Sequence, residues 1–407
     1  MPAPDEHGQG PQGPLSVQAA REAVLDGLPR LASEPVPVGD ALDRVLARDL
    51  HAAADVPGFA NSAMDGFAVA SGPAGRELAI AGESRAGAPS ANAAAPGEAI
   101  RISTGAALPG GTDAVVPVER AEEADGHVRP AIDAAPGLNV RAPGEDMRSG
   151  ERVLSAGTVL GPAELGVAVG AGIAVLDCAR RPRVGIVCTG DELRGPGEPL
   201  GPGEIHNSNA VALAALVRRA GGEPVLGARV GDDHAATEAV LGSALEGADV
   251  LIVSGGVSVG PHDHVKAALA SLGVEERFWR VALRPGRPTW FGRRAERLVF
   301  GLPGNPASAM VTFLLFARPA LRALQGASPA AARCEASLAE PVPRNPWREE
   351  AVRVRLESGA DGRPLARTTG PQGSHRLRSM AGADGLALVP RGEGPLPAGS
   401  TVTVELI

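Results

Sequence analysis

The sequence predicts a multidomain chain of mixed α/β and β content, organised around a central doubly wound α/β domain. A β-rich inserted domain, a small helical or mixed domain made of two separated segments and a C-terminal β domain like a barrel complete it. Three observations predict this. The 407 residues exceed what one hydrophobic core usually serves. Beyond Arg183, short apolar runs that read as buried strands alternate with helical segments, the grammar of a parallel sheet covered on both faces. Elsewhere, short apolar stretches separated by Gly and Pro indicate β structure without long helices.

Taken in order, Met1 to Pro14 are rich in Pro and Gly, lack an apolar core and read as a disordered leader rather than a secretory segment. Ser16 is placed to cap a helix running to Leu31, with Val17, Ala20, Val24 and Leu28 on one face. Pro29, Pro35 and Pro37 limit it. Glu77 to Ala81, Ala99 to Ile102 and Ala114 to Val118 are strand-like. Glu151 to Leu176 returns to helix and turn, and is expected to pack beside the first helix. The strands Val184 to Cys188, Asp249 to Val253 and Leu298 to Phe300 alternate with helices near Ala210 to Ala220, Ala235 to Leu245 and His264 to Leu272. Asn305 to Leu324 closes the unit as a long apolar helix. Ala351 to Leu356, Leu386 to Val389 and Thr401 to Leu406 read as strands of the final domain. The expected domains are therefore 15–54 with 141–180, 55–140, 181–327 and 328–407, after a leader over 1–14.

Composition narrows the function. With 39 basic against 47 acidic residues the net charge is −8, which argues against a sequence-independent grip on nucleic acid. Any bound anion is expected to be small and held locally. No uninterrupted apolar run reaches the ~18 residues that a membrane span requires, so a soluble, cytoplasmic chain with no membrane partner is expected. Cys178, Cys188 and Cys334 are too few and too scattered for a disulfide framework or a zinc ribbon, and read as reduced thiols.

In an open α/β sheet, ligands sit beyond the carboxyl ends of the strands. Here those ends carry Thr189-Gly190-Asp191-Glu192, then Asn207-Ser208-Asn209 before a helix, then Ser254-Gly255-Gly256-Val257-Ser258-Val259-Gly260 with Asp263, and Gly301-Leu302-Pro303-Gly304-Asn305-Pro306. Successive glycines let backbone N–H groups face an anion while the next helix presents its positive end. Any one such loop is commonly just a tight connection. Their convergence on a single sheet edge is what suggests a site. Asp191, Glu192, Asp232 and Asp263 individually suit helix caps, but together they supply the hard oxygen ligands that magnesium prefers when it bridges phosphate oxygens. Arg280, Arg284 and Arg287 flank Pro285-Gly286, and guanidinium groups clamp phosphate or oxyanions bidentately.

These strand-end loops resemble the molybdopterin-binding domain of the molybdopterin molybdenumtransferases, the group that includes gephyrin's enzymatic domain. That domain alone resembles the single-domain molybdopterin adenylyltransferases equally. The rest of the chain separates them. Asn61-Ser62-Ala63-Met64-Asp65-Gly66-Phe67-Ala68 resembles the family's N-terminal signature, Ile102-Ser103-Thr104-Gly105-Ala106 with Leu108-Pro109 its second, and Arg141-Ala142-Pro143-Gly144-Glu145-Asp146 its third. Gln372-Gly373-Ser374-His375 to Arg378-Ser379-Met380 resembles a stretch of the C-terminal β domain. Two departures are visible: Arg at 280, 284 and 287 where Lys is usual, and Pro261-His262 before Asp263.

The resemblance implies insertion of molybdate into adenylylated molybdopterin with release of AMP. It also implies an elongated homodimer in which Asp65 and Thr104 complete the partner's site. Thr189, Gly190, Asp191, Ser208, Gly255, Gly256, Ser258, Gly260, Arg280, Arg284, Arg287, Pro303, Gly304, Asn305 and Pro306 would then hold substrate. Asp65, Thr104, Glu192, Asp232 and Asp263 would carry the chemistry, with Glu192 and Asp263 holding magnesium. Contacts with a molybdopterin adenylyltransferase and with apo-molybdoenzymes are the further partners implied. The competing readings are an adenylyltransferase acting on molybdopterin with ATP and a non-catalytic scaffold that keeps the fold.

Overall fold

The computed structural model describes residues 13–231, 233–257, 264–359 and 362–407, so most of the expected leader, together with Asp232, Ser258, Gly260 and Asp263, lies outside the described residues. The chain divides into two compact units, Pro35–Cys178 and a second formed by the chain up to Glu34 with Ala179–Ile407.

In the second unit a six-stranded sheet runs in the order Glu223–Val230, Arg183–Thr189, Val250–Ser254, Arg297–Leu302, Trp290–Arg294, Glu275–Trp279. The first four strands are parallel, and Trp290–Arg294 runs opposite to them, pairing antiparallel with both of its neighbours. Alternation along each strand sends Ile186, Cys188, Ile252 and Phe300 to one face, against helices Ser208–Arg219 and Pro306–Leu324. Val187, Leu251, Val253 and Val299 go to the other, against His234–Gly247 and Val265–Ser271. The sheet is thus doubly wound. Its antiparallel edge goes beyond the three strands expected, because Trp290 and Phe291 are buried in segments that arginines and a glycine disguise.

The helix Pro306–Leu324 is apolar enough to span a membrane by composition, yet most of it is buried in the core of this unit. Pro319 lacks the N–H that a continuous helix needs, and the wider turn over Phe313–Ala317 just before it accommodates the loss.

The first helix departs from expectation twice. It spans Val17–Leu25, capped by Ser16 Oγ accepting from Ala19 N at 3.1 Å, and ends at Asp26, before Gly27 turns left-handed at φ +57°. It packs through Val17, Ala20 and Val24 on the core of the α/β unit rather than beside Glu151–Leu176. Arg21 anchors it, donating from both terminal nitrogens to Glu405 at 2.8 and 2.6 Å and from Nε to Leu315 O at 3.0 Å.

The C-terminal strands Glu349–Ser358, Pro364–Thr368, Arg333–Leu338, Thr401–Leu406 and Gly385–Val389 pair in that order, and the last pairs back to the first. The result is a closed five-stranded barrel filled by Val352, Val354, Ala366, Ala387 and Val404. Its outer residues Ala351 and Leu386 join the α/β core.

In the first unit, Ala114–Pro117, Gly66–Val69, Glu98–Ile102, Leu78–Ser84, His127–Pro130 and Ala121–Ala124 form one six-stranded sheet. Beside it, helix Pro162–Gly170 packs in a small cluster of Val36, Leu46, Leu160, Ala168 and Leu176.

Candidate active site

A cavity of about 540 Å³ lies at the carboxyl ends of the parallel strands. Thr189 and Glu192 line it from the first loop, Ser208 from the helix that follows, and Gly304, Asn305 and Pro306 from the last loop. Strand Arg183–Thr189 ends as the backbone turns at Gly190, whose N–H donates to Val230 O at 3.0 Å. Leu193 and Ile205 then pair as short parallel strands, so the Glu192 carboxylate stands at the cavity with no protein hydrogen bond among the described residues.

Glycine is required where loops touch. Gly255 has φ +97°, and a Cβ there would lie 2.8 Å from Thr189 Oγ1 and 2.9 Å from its carbonyl oxygen. Close approach of the first and second loops therefore depends on the missing side chain. Gly256 is likewise left-handed, at φ +64°.

Three further residues tie the loops together. Asn209 donates from Nδ2 to Ser254 Oγ at 2.9 Å and to Gly304 O at 2.7 Å, bridging the second and last strand ends from the helix between. Asn207 caps that helix, accepting from Ala210 N at 3.1 Å. Ser254 in turn donates to Pro303 O at 3.4 Å. Cys188 lies at the cavity wall, where burial pushes its thiol up against an opposing hydrogen bond from Asn207, so it stays a neutral thiol.

The barrel contributes a wall that the sequence motifs of the α/β domain do not include. His375 lines the cavity, and Ser374 Oγ accepts from Asn305 Nδ2 at 3.1 Å. Behind them Arg353 is fully buried, donating to Ser379 Oγ at 3.1 Å and Gly373 O at 3.2 Å. Burial lowers its pKa to about 10, with Glu350 opposing and Arg284 adding to the shift.

The remaining expected residues fall in different places. Gly190, Gly255, Gly256 and Pro303 support the cavity without lining it. Asp191 turns away, and its carboxylate packs against Gly231, where a Cβ would be 2.4 Å from Oδ1. Arg280, Arg284 and Arg287 are also outside the lining. Arg280 adopts φ +76° and places its guanidinium 4.0 Å from the Trp279 ring centre. Lys266, the chain's single lysine, lies 3.4 Å from the same ring. Arg284 pairs with Glu350 at 3.1 Å.

Asp65 and Thr104 belong to the first unit, where they form a defined pair. Asp65 Oδ1 accepts from Thr104 N at 2.7 Å and from its hydroxyl at 3.1 Å, and both residues are exposed. Gly66 must be glycine, since a Cβ would sit 2.0 Å from Val116 O in the neighbouring strand. Asn61 and Ser62 are buried beneath the turn.

A mainly parallel sheet whose strand ends surround a concave site of amides, hydroxyls and a carboxylate has the architecture of an α/β enzyme domain with a small-molecule site. Comparison with known proteins specifies which. Residues 15–172 match the MoeA N-terminal region (domains I and II), residues 185–323 a probable molybdopterin-binding domain, and residues 335–407 the MoeA C-terminal region (domain IV). Molybdopterin molybdenumtransferase 2 of Mycobacterium tuberculosis is 37% identical, over 96% of this chain and 98% of the relative. The molybdopterin molybdenumtransferase of Bacillus subtilis is 35% identical, over 97% of this chain and 94% of its own. The MoeA crystal structure from Pyrococcus horikoshii OT3 superposes with a TM-score of 0.84 at 28% identity, covering 97% of this chain and 100% of that one. The chain belongs to the molybdopterin molybdenumtransferase family and is a transferase.

Proposed function

We propose that this chain inserts molybdate into adenylylated molybdopterin and releases AMP. The observation that carries the reading is the cavity shared by Thr189, Glu192, Ser208 and Gly304. A pterin with a phosphate anhydride needs such a surface: backbone amides and hydroxyls for phosphate, with few fixed negative charges. No protein nucleophile is called for, since the metal's sulfur ligands come from the pterin, and the neutral Cys188 thiol agrees with that.

Magnesium is part of the proposal. Glu192 lines the cavity with its carboxylate free of protein hydrogen bonds among the described residues, which suits an ion that keeps water and substrate oxygens and takes one or two carboxylates from the protein, here Glu192 and Asp263. When bound, it neutralises charge on the anhydride. Within this reading the Gly255 to Gly260 loop with Ser258 cradles phosphate, Asp232 contacts nucleotide or metal, and Arg280, Arg284 and Arg287 attract oxyanion. Asp65, oriented by Thr104, completes the site from the partner of a cytoplasmic homodimer.

The test is incubation of purified protein with adenylylated molybdopterin, magnesium and molybdate, following AMP and metal incorporation. Molybdate-dependent AMP release is expected, and ATP consumption with molybdopterin alone would favour the adenylyltransferase instead. Asp65→Asn is expected to lower turnover by about 10²–10⁴-fold with the dimer preserved, the range for loss of a positioned catalytic group. Near-normal turnover would reduce the Asp65 turn to scaffold.

A further inference from the structure

A second cavity, of about 580 Å³, opens on the C-terminal barrel. Arg355 from strand Glu349–Ser358, Arg367 from strand Pro364–Thr368, and Arg376 and Arg378 from the following turn all line it. Four guanidinium groups thus converge from three segments of a chain whose net charge is −8.

Their state of pairing is unequal. Arg367 is held by Glu357, with Nε 3.0 Å from each carboxylate oxygen, and lies 3.9 Å from Glu340. Arg355 donates only to a carbonyl, Gly382 O, at 3.4 Å. Neither it nor Arg376 or Arg378 has a carboxylate partner among the described residues. Three cations are therefore left unneutralised around one concavity, and like charges repel unless an anion joins them.

We propose that this cavity binds a small phosphorylated polyanion, of the diphosphate class, at a site distinct from the strand-end cavity. Guanidinium forks match phosphate oxygens bidentately. None of the lining residues is aromatic, so recognition rests on charge and hydrogen bonding rather than on stacking a base. The volume falls in the range of small-molecule sites and exceeds what one tetrahedral oxyanion fills. The two cavities share the turn Gly373 to Ser379: His375 faces the first, Arg376 and Arg378 the second, and Arg353 braces both ends of the turn. An occupant of the second cavity is thereby placed to shift the wall of the first. The inference stands on the arginine cluster and is independent of the chemistry assigned to the strand-end cavity.

The experiment is calorimetric titration of the full chain with pyrophosphate, at ionic strength held constant with sodium chloride. Binding by the natural chain is expected, weakened at least tenfold by the double substitution Arg376→Gln with Arg378→Gln and, separately, by Arg355→Gln. These side chains are exposed, so thermal melts should be unchanged, and AMP release without pyrophosphate should be unchanged in all of them. Asn209→Ala, which perturbs the other cavity, should leave the titration intact. The proposal is overturned if pyrophosphate gives no heat beyond the salt control, if the arginine variants bind as the natural chain does, or if only Asn209→Ala loses binding. Capture of an acidic peptide in preference to pyrophosphate would also overturn it.

Discussion

The two ends of the central sheet are built on opposite principles. At the amino end Asp249 accepts from both terminal nitrogens of Arg180 at 2.7 Å and from Arg183 N at 2.8 Å, while its own N–H donates to Arg183 O at 2.9 Å. These polar groups hold the strands together. At the carboxyl end the loops meet through glycines and the Asn209 and Ser254 side chains, and Glu192 faces the cavity uncommitted. Groups already satisfied by the protein stabilise it, whereas groups left unsatisfied remain available to a ligand. The sheet thus separates stability from function along its strands.

Substitutions at the carboxyl end should therefore alter kinetics more than stability, and Glu192→Gln is expected to show the largest effect. It removes a charge but no protein contact. Turnover should fall about 10²–10³-fold, the scale for loss of one electrostatic element of a site, with an unchanged melting temperature. A variant that melts early but turns over normally would invert the comparison, making Glu192 a structural residue.

Asn209→Ala tests the same end more gently. Losing the two amide bonds to Ser254 and Gly304 frees the last two loops to separate. An effect of about tenfold, or ~1.4 kcal/mol, is expected and should appear mainly in KM, because the amide positions loops and touches no reacting atom. An equal fall in kcat with KM unchanged would place Asn209 in the chemistry itself.

Much of this was legible in the sequence because strand, glycine loop and helix N-terminus follow one another within about ten residues. Thr189, Glu192, Ser208 and Gly304 to Pro306 could be nominated from local grammar alone, and they line one cavity. The wall of that cavity that comes from the barrel was not legible. His375 and Ser374 arrive from the barrel, and nothing near them in sequence signals the α/β domain. Arg353 looks like any strand arginine until its burial is known. The first helix was read correctly as a helix, but its destination depends on Glu405, 384 positions away from Arg21. Arginine-rich segments were harder to read. Trp290–Arg294 hid a buried strand, and the sequence did not show that Arg280 stacks on Trp279 or that Arg284 pairs with Glu350. Charge pattern reports the presence of cations, whereas their partners are set by tertiary packing.

The smallest effect belongs to the amino end and carries a pH signature. Burial pushes the Asp249 carboxyl up, but the Arg180 guanidinium and the Arg183 N–H outweigh it and hold the group below the usual carboxylate range. A carboxyl whose folded pKa lies below its unfolded value stabilises fully above that unfolded value, and loses the contribution as pH falls through the lowered folded pKa. The pair is partly exposed, with 34% of the Arg180 side chain and 23% of the Asp249 side chain accessible. Screening therefore limits the gain to about 1 kcal/mol. Asp249→Asn should accordingly lower stability to denaturant by about that amount at neutral pH, with AMP release unaffected. The gap should begin to narrow below about pH 4, where the unfolded carboxyl takes up its proton, and should close as pH falls through the lower folded value. A gap that persists unchanged to pH 3 would mean that Asp249 acts through packing and backbone geometry rather than charge, and the amino end would then be held like any other loop.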